Sequence, residues 1–251
     1  MTKKREYEDK LPEGSIAERS KFIGWLDNFW YHYKWPVIIV AFFVTVISVC
    51  MAQMLSRESY DTTITYAGPY RMNDEERADF ERLMDSLCPT DRDGNGEENV
   101  QYVSYQIYSE EEIKAENEKA EAESQQYSVN TQYNISEYNG FDDYVKSGEC
   151  SVFMVSPYLY RVLREGAKGK LLKSLSDLYG ENLPVGADEY GYGVRLGDTQ
   201  IYKYDAAVQM LSPDTVICLV NPMILGTSSN EENYAASVAL FRAIVDFEPA
   251  D

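Results

Sequence analysis

The chain has 251 residues with 42 acidic and 23 basic side chains, a formal net charge of −19. That balance repels a phosphate backbone, so nucleic acid is excluded as an expected partner. One histidine and four cysteines, none in CxxC spacing, provide no zinc or redox motif.

The charge is unevenly divided along the chain. Residues 1–35 hold seven Lys or Arg against six acids, whereas residues 56–251 hold 16 against 36, a net −20. Between them runs Pro36 to Leu55, PVIIVAFFVTVISVCMAQML, twenty residues without a charge. Twenty helical residues rise about 30 Å, the hydrocarbon thickness of a bilayer, and a helix satisfies its own backbone there. The run predicts one transmembrane helix. Lys34, Lys21 and Arg19 precede it and Arg57 stands nearly alone beyond it. That asymmetry puts the N-terminus in the cytoplasm and the C-terminal part outside. The run is longer and starts later than the apolar core of a cleaved signal peptide, and Val49 and Ile47 do not suit a lipoprotein signal at Cys50. A single-pass signal anchor in the cell membrane is expected.

Within the 1–35 tail, Phe22, Leu26, Phe29, Trp30 and Tyr33 fall on one helical face. An amphipathic juxtamembrane helix is expected there, its Trp and Tyr rings suited to the bilayer edge, with Pro36 turning the chain into the span. Residues 22–55 are thus the expected contact with the lipid bilayer and with a membrane protein partner. The sole histidine, His32, lies in this belt, so no His-dependent triad or His-liganded metal is available beyond the span.

Residues 56–61 form a short linker, which reaches about 20 Å at most. An extracytoplasmic α/β domain follows over 62–251. Three of its runs, TTITYAGPY (62–70), CSVFMVSPY (150–158) and TVICLVNPM (215–223), are strand-like and end on proline, which cannot continue a ladder. Cys150 and Cys218 sit in these runs as small core residues, which leaves Cys88 as the cysteine open to a disulfide. Asn73 with Glu76 predicts a capped helix over 74–87, and Ser109 with Glu112 another, leading into the very polar EEEIKAENEKAEAESQQ. NVQYVSYQIY (99–108) alternates as a strand with one buried face. Short helices are expected at 141–146, 159–165 and 171–178, a hairpin from Gly191–Leu196 with Thr199–Tyr204, and a closing amphipathic helix over 231–247. Strands alternating with helices predict a single α/β lobe with a mixed sheet.

The run FDDYVKSGECSVFMVSPYLYRVL followed by GKLLKSLSDLYG, with TITYAG, a helix and NVQYVSYQI before it, resembles the first lobe of extracellular solute-binding proteins. The chain is also similar to single-span membrane proteins of Gram-positive bacteria whose exported part begins with a YAGP-type strand. The resemblance implies a binding domain. A complete solute-binding protein inserts a second lobe, yet only about 35 residues separate Ser156 from Gly191, so one lobe is expected.

If the three proline-ended strands are parallel neighbours, their carboxyl ends make a ligand edge lined by Gly68, Tyr70, Ser156, Tyr158 and Asn221. Ordinary strand-ending loops are the alternative. Asp91, Asp93, Asn95 and Gly96 match the first half of a calcium loop, with Glu97 and Asn99 as further oxygens, although the twelfth position is Tyr102. Both a calcium site and a plain Asp/Asn/Gly turn stay open there, and no other cofactor is expected. GxSxG, SxxK, GxxxxGK[ST] and HExxH are all absent, so the expected function is non-enzymatic. A membrane-anchored extracytoplasmic binding or sensing domain leads. A structural or accessory subunit of a membrane complex, without a small ligand, is the alternative.

Overall fold

The computed structural model describes residues 21–55, 60–92, 94–123, 129–221 and 231–249. The first twenty residues, most of the expected linker and Asp93 lie outside this set. The chain divides into two units, Met1–Glu58 and Ser59–Asp251.

The first unit is carried by helix α1, Lys21–Leu55, 35 residues in one continuous helix. Its stretch Asn28–Met54 is long and apolar enough to cross a membrane. The expected turn at Pro36 does not occur, because Pro36 lies inside the helix. Proline removes one backbone hydrogen bond, which the continuous turns on either side outweigh, as in other long apolar helices. The juxtamembrane segment and the apolar run are therefore one rod rather than two elements. Its hydroxyl at Thr45 donates to the Ala41 carbonyl at 2.8 Å, so this polar group is satisfied within the helix.

The second unit is built on a five-stranded sheet of order β2-β1-β3-β5-β4. The strands are β1 (Thr62–Gly68), β2 (Val100–Gln106), β3 (Val152–Val155), β4 (Gly193–Arg195) and β5 (Val216–Leu219). β1 pairs parallel with both β2 and β3, whereas β5 runs antiparallel to β3 and to β4. The sheet is mixed, as expected. β3 and β5 are buried throughout, which explains why their sequences are continuous apolar runs without alternation.

Helices cover both faces. α2 (Asp74–Leu87) and α9 (Glu231–Val245) pack Phe80, Met84, Leu240, Phe241 and Ile244 against Ile64, Val152, Met154 and Ile217. On the other face α4 (Thr131–Ser147) and α5 (Pro157–Gly169) bring Phe141, Val145, Leu159 and Leu163 onto Phe153, Val155 and Cys218. Each large side chain fully buried this way contributes about 2 kcal/mol of transfer free energy. Cys88, Cys150 and Cys218 are buried free thiols in this core.

Local signals fix several boundaries. Asn73 accepts from the N–H of Glu75 and Glu76 while Glu76 returns a bond to Asn73, closing a capping box at the start of α2. Ser109 and Glu112 do the same for α3 (Glu110–Ala122), which buries no residue. α6 (Leu175–Tyr179) is shorter than expected, because Leu172 is drawn into a bridge with Val220. The expected hairpin partner Thr199–Tyr204 is a helix instead: Thr199 caps α7 (Gln200–Tyr204) by accepting from Tyr202 N–H, and α8 (Ala206–Gln209) follows. A 3-10 turn, Leu196–Asp198, separates β4 from it.

Candidate functional site

Direction decides which loops meet. β1, β2 and β3 are parallel, and β4 shares their direction through two antiparallel steps, so four carboxyl ends and the amino end of β5 form one edge. The expectation that β5 also ends there is corrected. Asn221 lies at the opposite edge, where its N–H donates to the Leu171 carbonyl at 2.8 Å, while Gly68, Tyr70, Ser156 and Tyr158 stay at the carboxyl edge.

Three of those four are engaged within the fold. Ser156 is buried, donates its N–H to the Ala67 carbonyl at 2.9 Å, and accepts the Leu159 N–H as cap of α5. At Gly68 a Cβ would stand 2.6 Å from the Tyr66 hydroxyl, so glycine is needed for that ring to lie along the strand end. Burial pushes the Tyr66 phenol up to about 12. Tyr70 donates its N–H to that hydroxyl and its own O–H to Glu76 at 2.7 Å. The Tyr70 phenol is raised by this carboxylate, and Glu76 is lowered, first by the Asn73 N–H and then by Tyr70.

Tyr158 opens onto a groove of about 1050 Å³ along this edge. α3 supplies its wall at the β2 end, α5 its middle, and the loop before β4 with Arg195 and Asp214 its far end. The far end is tightly braced. Tyr160 donates to Asp188 at 2.6 Å, and the other oxygen of Asp188 accepts the N–H groups of Tyr192 and Gly193 at 2.9 and 3.0 Å. Burial, and then the Asp188 carboxylate, hold the Tyr160 phenol protonated well above its ordinary range. Gly193 permits this approach, since a Cβ there would lie 2.9 Å from the Tyr160 ring. Arg195 is neutralised by Asp214, with Asp198 at 3.8 Å. Arg164 lies over the Tyr190 ring, 3.5 Å from its centroid. Arg161, one helical turn earlier, faces the same groove.

Of the five residues expected to line a ligand edge, Tyr158 lines this groove, and the expectation did not include Tyr160, Arg161, Arg164, Asp188 or Tyr190. The three-residue step from Tyr158 to Arg161 to Arg164 was a visible signal, since it sets all three on one helical face.

The 91–99 loop lies at the other edge, before β2. Asp91 accepts N–H bonds from Gly94 (2.7 Å), Asn95 and Gly96 (2.9 Å), and Asn95 accepts from Glu97 at 2.7 Å. Asn99 donates its N–H to Asp61, and Asp93 lies outside the described residues. This is the bonding of an Asx-type turn. Among the described residues no group of three or more His, Cys, Asp or Glu converges as a metal site.

No protein family model, no curated protein and no solved structure matches the chain significantly. The residues of the groove themselves carry the functional reading.

Proposed function

We propose that the chain is a membrane-anchored, extracytoplasmic binding protein that takes its ligand, without chemistry, in the groove at the carboxyl edge of the sheet. α1 is the single-pass anchor, and the excess of Lys and Arg before its apolar run favours a cytoplasmic N-terminus. The observation that carries the reading is the groove itself: about 1050 Å³ at the edge where open α/β sheets bind ligands, with Tyr158, Tyr190, Arg161 and Arg164 turned into it. Its buried phenol, Tyr160, is held protonated by Asp188, which suits a structural brace and not a nucleophile. The likeness to one lobe of solute-binding proteins supports the same reading.

Thermal melting of the full chain in detergent, screened against amino acids, short peptides, oligosaccharides and calcium, tests it. At least one compound raises the Tm of the wild type and leaves that of Tyr158→Ala unchanged. A flat response to every compound, together with a membrane protein that co-purifies through α1, would instead establish the accessory-subunit reading.

A further inference from the structure

Acids line both ends of the groove: Glu110, Glu111 and Glu112 at the β2 end, and Asp188, Glu189, Asp198 and Asp214 at the far end, where Tyr160 holds Asp188 and Arg195 faces Asp198 and Asp214. Arg161 and Arg164 stand on one face of α5, and among the described residues neither forms an ion pair with an acid. Arg195 differs, because Asp214 and Asp198 neutralise it. Arg164 lies over the Tyr190 ring and is hydrogen-bonded to Tyr190, and a guanidinium has further N–H groups with which to grip a carboxylate. At the β2 end of the groove, Glu110 and Glu111 in the first turn of α3 likewise have no cationic partner among the described residues. First-turn acids serve the helix dipole and alone would indicate nothing. Here they share one groove with two unpaired arginines, separated from them along the edge by β1.

We infer that this groove receives a short peptide, its free carboxylate on Arg161 and Arg164 and its cationic amino-terminal part toward Glu110 and Glu111. The inference rests on the groove being the ligand site. A polyanion meets the acids of α3, a polycation meets the arginines of α5, and a neutral sugar uses neither pole. A chain with opposite charges at its two ends satisfies both. The volume lies at the upper end of what ligand pockets usually offer, and an extended chain advancing ~3.3 Å per residue separates its ends along such a groove. Tyr158 and Tyr190 offer the flat, amphipathic surface on which a peptide backbone rests.

Calorimetric titration of the full chain in nanodiscs of neutral lipid, at low ionic strength, tests the inference with Lys-Ala-Ala, its C-terminal amide, and maltotriose. Lys-Ala-Ala binds, and the amide binds at least tenfold more weakly. The double variant Arg161→Gln/Arg164→Gln weakens the free peptide at least tenfold and leaves the amide unaffected, while Glu110→Gln/Glu111→Gln causes a smaller loss for both. Equal affinity for peptide and amide, or wild-type affinity in the double arginine variant, overturns the inference. If maltotriose alone binds and Tyr190→Ala abolishes it, the peptide class fails and the groove reading stands. If none of the three binds, both fail.

Discussion

At the amino edge of the sheet the Asp61 carboxylate, 1% exposed, accepts the N–H of Arg92 at 2.6 Å and of Asn99 at 2.9 Å. Asp85 accepts the Val100 N–H at 2.7 Å, and the Arg92 guanidinium closes on the Tyr60 carbonyl and on Asn233. At the carboxyl edge, by contrast, Arg161 and Arg164 of α5 and Glu110 and Glu111 of α3 face an open groove and have no ionic partners among the described residues. Both edges are rich in charged and polar groups. One turns them inward to stitch loops to strands, and the other leaves them facing solvent. Buried charge that is fully hydrogen-bonded contributes stability, while exposed unpaired charge contributes little to it and is free for recognition. Stability and binding should therefore separate by edge.

The largest effect belongs to the amino edge. Asp61→Ala leaves two loop N–H groups without their acceptor and should cost about 3 kcal/mol in urea unfolding, with ligand affinity unchanged. A loss of affinity comparable to that of the arginine variants would break the separation.

A second effect comes from buried protons and appears on alkaline titration. The Tyr66 phenol is held up to about 12, whereas in the unfolded chain it ionises near its ordinary value of 10.0. The unfolded state releases its proton first, so this contribution is complete below pH 10 and disappears as pH rises to about 12. Tyr234 and Cys150, each also raised to about 12 by burial, act with the same sign. Unfolding free energy should drop by about 2 kcal/mol from Tyr66 alone over that window, and Tyr66→Phe should flatten part of the slope. A wild-type curve level from pH 10 to 12 would show that these groups titrate normally.

A smaller effect tests the brace under the groove. Tyr160→Phe removes the hydrogen bond to Asp188 and should cost about 1.5 kcal/mol, with faster hydrogen exchange at Tyr192 and Gly193. Unchanged exchange there would mean that Asp188 holds the loop by itself. The smallest effect sharpens the comparison most. Arg161→Ala/Arg164→Ala should change unfolding free energy by less than about 0.5 kcal/mol, as expected of side chains without ionic partners among the described residues, while weakening Lys-Ala-Ala binding at least tenfold.

The sequence showed where strands end but not which way all of them run. β1, β3 and β5 are marked by apolar runs stopped near proline, and α2 and α3 by capping pairs, because these signals act over a few residues. The direction of β5 depends on tertiary pairing with β3, so the proline-ended pattern alone sent Asn221 to the wrong edge. Thr199–Tyr204 carries strand-like residues, yet the Thr199 hydroxyl caps a short helix there, a local bond that outweighs propensity. Pro36 looked like a break because proline lacks an N–H, but a long helix tolerates one missing bond. The arginines of the groove were legible as neighbours on a helical face. That they lack acids was not, since pairing with Asp or Glu is settled by loops far away in the chain.

Hydrogen exchange of the full chain in nanodiscs, with and without Lys-Ala-Ala, tests the central claim most directly. Binding at the carboxyl edge should slow exchange in residues 109–115, 157–164 and 186–195 and leave 91–99 unchanged. Protection confined to 91–99, or spread evenly over both edges, would contradict it.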